Sequence, residues 1–189
     1  LLWRLEGMEI PNPNHFASDG SSNGAISMLN SNVMANSDFL TGAFPAEYGN
    51  AFSGVFDMNM RNGNNEKREY AIQLGALGTD VALEGPINKE NGSSYLANYR
   101  YSTLAMLTAV GVKVAGDNIP KYQDAAFKLH LPTKNAGTFT IYGIGGKSGI
   151  HWEDTEEESE EVYYYEDFGA DLGVMGVKHF YILDENTYI

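Results

Sequence analysis

The chain contains no cysteine, which excludes a disulfide framework and thiolate metal sites and leaves the redox compartment open. Basic residues are scarce: 12 Lys and Arg stand against 25 Asp and Glu, a formal charge of −13. Neutralising phosphates takes a Lys/Arg face that so acidic a chain lacks, so nucleic acid is excluded as a partner. Long apolar runs are missing too. No stretch approaches the roughly 18 apolar residues of a membrane-spanning helix, although a β-barrel stays open because its strands alternate.

Catalytic signatures are equally thin. The four histidines, His15, His130, His151 and His179, are scattered without zinc-ligand spacing. Ser53 and Ser148 have glycine neighbours but no nucleophile-elbow pattern. Gly143-Ile144-Gly145-Gly146 lies inside a strand pattern and reads as a close approach or a bend, not as a phosphate loop. The expectation is a protein that is not an enzyme and holds no cofactor.

What the chain has is aromatic residues and glycine. Twelve Tyr, nine Phe and 21 Gly in 189 residues predict many strands joined by tight turns. Residues 42 to 63 show the grammar most clearly. Pro45 opens a short helical turn over Ala46-Glu47-Tyr48, Gly49 ends it, and alternation resumes at Val55. Val55, Asp57, Asn59 and Arg61 then lie on one side of a strand and Phe56, Met58 and Met60 on the other.

Upstream, residues 1 to 10 read as a strand turned at Glu6-Gly7, and Pro11-Asn12-Pro13-Asn14 cannot continue it. Asp19 to Gly24 is a polar loop, Ile26 to Leu29 a helical turn, and Val33 to Leu40 a strand.

After Gly63 the strands lengthen and their faces separate. Tyr70, Ile72 and Leu74 oppose Glu69, Ala71 and Gln73, and Gly75 to Gly78 reverses the chain. Asp80, Ala82 and Glu84 oppose Val81, Leu83 and Ile87. Tyr95, Ala97, Tyr99 and Tyr101, in a strand running from Ser93 to Leu107, oppose Asn98, Arg100 and Ser102. Asp124, Lys128 and His130 oppose Ala125, Phe127, Leu129 and Leu131.

Such alternation fits a soluble sandwich, with the apolar face inside, or a membrane barrel, with the apolar face on lipid. Connection lengths separate the two. After a short reversal at 75–78, the turns at 88–92, 132–137 and 184–186 are short, whereas the connections at 108–121 and 149–167, on the opposite side, are long. Sorting of this kind is a barrel property. The second long connection carries seven carboxylates, Glu153, Asp154, Glu156, Glu157, Glu158, Glu160 and Glu161, which predict a solvated loop. Clustered oxygens also suit calcium, but the glycine-containing spacing of a calcium loop is absent. Trp152 and Tyr163-Tyr164-Tyr165 stand where strands would leave a membrane.

The stretches EGMEIPNPNHF, GAFPAEYGN and LGTDVALEGP followed by SYLANYRYS together resemble TonB-dependent outer-membrane receptors. Asp38 to Gly42 stands for the strand before the family's Tyr-Gly turn, Tyr48-Gly49 for the turn, and Ser53-Gly54-Val55 for the strand after it. Thr41 stands where many members carry arginine, so an ion pair relying on that arginine is not carried over.

The resemblance implies a mainly β fold: a transmembrane antiparallel β-barrel fragment with an α+β plug domain. Residues 1–64 would be the C-terminal part of the plug, and 65–189 roughly the first six or seven strands of a barrel of about 22. The chain opens on an alternating run without methionine and stops in what reads as another strand, so the expectation is an internal stretch of a longer protein.

The implied function is nutrient uptake across a bacterial outer membrane. The implied partners are TonB and its inner-membrane motor complex, the lipid bilayer, and a surface lipoprotein or other outer-membrane subunits. A non-transporting barrel subunit serving as scaffold and a soluble β-sandwich binding module remain the alternatives. Candidate plug–barrel contacts are Asp80, Glu84, Arg100, Asp124 and Lys128 on the wall, with Glu47, Asp57 and Arg61 on the plug. Asn12, Asn14 and His15 are candidates for a ligand path, or else cap turns.

Overall fold

The computed structural model describes residues 1–18, 21–24, 26–76, 78–111, 120–155, 162–184 and 187–188. The fold is mainly β. Six short strands belong to the N-terminal unit: β1 (Leu2–Leu5), β2 (Met8–Ile10), β3 (Asn14–His15), β4 (Ile26–Ser27), β5 (Asp38–Leu40) and β6 (Val55–Met58). Six longer ones follow: β7 (Glu69–Leu74), β8 (Gly78–Asn88), β9 (Ser93–Ser102), β10 (Lys121–Pro132), β11 (Thr138–Thr155) and β12 (Val162–Phe180). A last small pair is β13 (Ile182–Asp184) with β14 (Thr187–Tyr188).

The N-terminal unit is built on a four-stranded sheet in the order β2-β1-β6-β5, with β1 and β6 parallel. Glu6 and Gly7 form the two-residue turn between β1 and β2, both at positive φ (54° and 87°), as a primed hairpin turn requires. Ala46–Tyr48 is one 3-10 turn behind Pro45, as the proline suggests. In β6 both Val55 and Met58 are buried although alternation puts them on opposite faces, and Met58 packs into the core against the large sheet. Trp3, Phe56 and Phe39 are cross-strand neighbours and stack with centroids 4.5 and 4.2 Å apart.

Strands β7 to β12 form an antiparallel meander in which each pairs with the next. The reversal between β7 and β8 is where Gly75 to Gly78 predicts it, closed by the Gly75 amide donating to the Gly78 carbonyl at 3.0 Å. Among the described residues β7 and β12 are the two edges of this sheet.

Several local expectations change. The strand from Ser93 ends at Ser102, whose hydroxyl caps a helix, α1 (Thr103–Ala109), by accepting from the Ala105 amide at 3.4 Å. Ile26 and Ser27 pair with His15 and Asn14 instead of making a helical turn. Of the strand expected from Val33 to Leu40, only β5 and a bridge between Met34 and Met60 form.

The expected long loop at 149–167 is largely a ladder, with pairs from Gly149↔Gly169 up to Thr155↔Val162. Carboxylates do not prevent this, because ladder bonds are made by the backbone and charged side chains can point to water. Residues 156–161, which carry most of the calcium reading, residues 112–119 of the other long connection, and Glu185-Asn186 of the last short turn lie outside the described residues. So do the side chains of Trp152 and Tyr163 to Tyr165.

Register sorts the large sheet's side chains into two faces. One face carries the cross-strand rows Asp80–Arg100–Asp124–Gly146–Leu172, Ala82–Asn98–Ala126–Ile144–Val174 and Glu84–Leu96–Lys128–Tyr142–Gly176. The other carries Ile72–Val81–Tyr99–Ala125–Gly145–Gly173, Tyr70–Leu83–Ala97–Phe127–Gly143–Met175 and Gly85–Tyr95–Leu129–Ile141–Val177. The N-terminal unit covers the first face, where Leu5, Ile10, Val33, Met58 and Met60 pack with Leu96, Ala126, Tyr142 and Ile144 into one core.

Candidate functional site

The seam between the N-terminal unit and the large sheet is where charge is concentrated and buried. Four polar docks cross it, each pairing a residue of the short-strand unit with one on the inner rows of the sheet.

The first is at the tip of the β1–β2 hairpin. Lys128 donates to a Glu6 carboxylate oxygen at 2.7 Å and to the Met60 carbonyl at 2.6 Å. The same Glu6 oxygen accepts from the Met60 amide at 2.8 Å. The two charged side chains are only 8% and 5% exposed. Tyr142 adds a hydroxyl donated to the Leu5 carbonyl at 3.2 Å. Alternation on β10 is what aims Lys128 inward, two residues from Ala126 and four from Asp124.

The second dock is built on Asp124. Its Oδ2 lies 2.9 Å from His15 Nε2 and accepts from Arg100 at 2.9 and 2.7 Å. Arg100 also donates to the Ser27 carbonyl, so the β3–β4 pair is held from both of its strands. The His15 and Tyr122 rings lie 4.8 Å apart, and the Phe16 amide donates to Ser148 Oγ at 3.1 Å. This approach needs Gly146: a Cβ there would lie 2.8 Å from His15 Cε1 and 3.0 Å from the Gln123 carbonyl. Asp124 Oδ1 and His15 Nδ1 are buried with no hydrogen-bond partner among the described residues.

The third dock joins Asn32 Nδ2 to Asp80 at 2.9 Å and to Gln73 at 2.8 Å. The fourth is a fork: both terminal nitrogens of Arg61 donate to the two oxygens of Glu84 at 2.7 Å, and the Asn64 amide adds a third bond to Glu84. Glu69 stands opposite Glu84 across the β7–β8 ladder, and Lys67 at 2.8 Å offsets that like-charge pair. The Glu84 hydrogen bonds hold the Arg61 guanidinium's pKa above its ordinary value, so the cation persists at any working pH.

The expected wall residues Asp80, Glu84, Arg100, Asp124 and Lys128 all lie on the covered face and take part in these docks. Of the expected counterparts, Arg61 meets Glu84. Glu47 and Asp57 sit elsewhere: Arg4 is 3.8 Å from Glu47 and 3.3 Å from Asp57, and Tyr48 donates to Asp57 at 2.8 Å, all inside the N-terminal unit. Glu6, Asn32 and Tyr142 take docking positions that pattern reading gives to no one. His15 is fully buried in the second dock.

Asn12 and Asn14 line a cleft of about 730 Å³ between the N-terminal unit and β12, together with Trp3, Glu9, Ser21 and Phe168. Asn12 also closes its own loop, donating to the Ser21 and Asn23 carbonyls at 3.1 and 2.6 Å.

Among the described residues, no dock of this kind lies on the opposite face of the sheet. Tyr70, Ile72, Val81, Leu83, Tyr99, Met175 and Val177 are exposed. Charge returns at one border, where Lys147 pairs with Asp171 at 3.2 Å beside a Tyr99–Gln123 hydrogen bond of 2.7 Å. At the other border Phe139 and His179 stack at 4.3 Å. From Phe139 to Lys147 on β11 is about 27 Å along the strand at ~3.4 Å per residue.

One face of the sheet thus carries four directional docks, and the other an exposed aromatic and aliphatic band. Compared with known proteins, the chain matches no family model, no curated protein and no solved structure.

Proposed function

We propose that this chain is part of a TonB-dependent receptor of the bacterial outer membrane, taking up a nutrient through a plugged β-barrel. The N-terminal unit is the later part of the plug, and β7 to β12 are the first strands of the wall around it. One observation carries the reading: the sheet turns Asp80, Glu84, Arg100, Asp124 and Lys128 toward the N-terminal unit, while Tyr70, Ile72, Val81, Leu83, Tyr99, Met175 and Val177 stand exposed on its other face.

A soluble sandwich requires the reverse, with Tyr99, Phe127 and Leu83 in the core and Lys128 and Asp124 in water. Hydrocarbon accepts the outer band. Tilted by about 40°, the ~27 Å run from Phe139 to Lys147 spans ~21 Å of membrane, close to the ~25 Å apolar band of outer-membrane barrels. The two sheet edges then pair with further strands, because open backbone groups in lipid cost several kcal/mol each.

The plug leaves its seat when TonB and the inner-membrane motor pull on it, opening a route along the cleft that Asn12 and Asn14 line. The test has two arms. The protein sediments with outer membranes and dissolves only in detergent; recovery in the soluble fraction overturns the membrane reading. In cells lacking the inner-membrane motor, uptake stops while surface binding of the nutrient persists; unchanged uptake overturns the energised mechanism and leaves a scaffold role.

A further inference from the structure

Glu6 occupies a position that its residue type does not suit. It is the first residue of the two-residue turn between β1 and β2, with φ at 54°, and only 7% of it is exposed. Left-handed backbone there favours Asn, Asp or Gly and disfavours a long L side chain. Gly7 beside it, at φ 87°, is the residue such a turn asks for. Nothing in the hairpin itself explains the glutamate. The β1–β2 ladder and the bond from the Glu6 amide to the Met58 carbonyl, at 2.8 Å, use backbone alone.

The carboxylate's partners explain it. One oxygen holds the Met60 amide, in the segment that follows β6, and the Lys128 ammonium on the sheet. Lys128 in turn reaches the Met60 carbonyl. Three segments meet at this atom: the hairpin turn, the exit from β6, and strand β10. The length of a glutamate bridges them from a turn tip.

We infer that Glu6 is a latch at a strained position: an unfavourable turn residue whose carboxylate fastens the N-terminal unit to Lys128, so that the contact with the sheet offsets the cost of the turn. The latch concerns the seam alone and goes beyond the transport reading, since it holds whether the outer face meets lipid or not. Glu6 is a positioning residue, acting on the seat of the unit through Lys128 and Met60.

The test uses this chain, which has no cysteine of its own, in mild detergent. Ala126→Cys places one thiol under the N-terminal unit, at a position 3% exposed. Maleimide labelling of that thiol reports undocking, and urea unfolding reports stability. Glu6→Gln keeps the length and the disfavoured turn geometry without the charge; Glu6→Asn removes the charge and suits the turn. With Lys128 present, both substitutions raise the labelling rate at least tenfold; unchanged labelling overturns the latch. In the Lys128→Met background, Glu6→Asn gives a folding constant about fivefold above that of Glu6→Gln, the factor equivalent to ~1 kcal/mol. Equal constants overturn the strain. Should Lys128→Met fail to fold, the same comparison with Glu6→Gly as the second variant is made with Lys128 in place, and equality there overturns the strain equally.

Discussion

Lys128→Met removes a cation that is 8% exposed and leaves the Glu6 carboxylate, 5% exposed, with the Met60 amide as its remaining partner. Methionine matches the length of the lysine stem, so the apolar packing of β10 survives and the electrostatic loss stands alone. Stranding one member of a buried pair costs about 3–5 kcal/mol, because the other charge stays desolvated without its counter-ion. At ~1.4 kcal/mol per decade that raises the undocked population of the N-terminal unit by roughly two to three orders of magnitude.

The assay is hydrogen exchange of the Phe16 and Asn64 amides, whose hydrogen bonds to Ser148 Oγ and Glu84 cross the seam and are lost when the unit leaves the sheet. Two controls fix the interpretation. Glu6→Gln combined with Lys128→Met recovers much of the loss, since a neutral pair has no uncompensated charge. Lys147→Met breaks an ion pair whose side chains are 68% and 63% exposed, and costs no more than about 1 kcal/mol. A Lys128→Met effect as small as that of Lys147→Met would refute the claim that the seam is held by buried charge.

Three further outcomes are expected. Arg61→Leu removes the fork on Glu84 and costs about 1–2 kcal/mol in urea unfolding, less than Lys128→Met because Arg61 is 35% exposed; a cost equal to or above that of Lys128→Met contradicts the ranking of the docks. Gly146→Ala pushes a Cβ to 2.8 Å from His15 Cε1 and costs about 1–3 kcal/mol by overpacking. Imidazole nitrogen shifts of His15 should move with it, and unchanged shifts contradict the seating of that ring against β11. Phe127→Arg on the outer face costs ~2–4 kcal/mol in a bilayer, the value for a cation near the midplane; a neutral result argues that the face meets water.

Much of the large sheet was legible before any coordinates. Alternation over Glu69–Leu74, Asp80–Glu84, Tyr95–Ser102 and Asp124–Leu131 separates the faces correctly, and Gly75 to Gly78 marks a real reversal. The sheet side of the seam follows from the same alternation, since period two states which residues share a face. The N-terminal side does not. Glu47 and Asp57 had the right charge, but which cation they meet depends on how the 3-10 turn folds over Arg4, a tertiary fact. Glu6 was read as part of a turn, and the clue available was a glutamate where the turn prefers Asn. His15 looked like a loop residue because Pro11 and Pro13 precede it, yet the two-residue strand β3 buries it completely. The long β11–β12 ladder is not legible in the sequence because a run of carboxylates suggests a loop, whereas ladder pairing is indifferent to them.

The most direct measurement scans single cysteines carrying nitroxides along β10, at Ala126, Phe127, Lys128 and Leu129, in the reconstituted protein. Collision with oxygen dissolved in hydrocarbon should be frequent at Phe127 and Leu129, with a water-soluble nickel chelate reaching neither, while Ala126 and Lys128 are shielded from both. Nickel-chelate collisions at Phe127 and Leu129 equal to those at an exposed loop site would contradict the account.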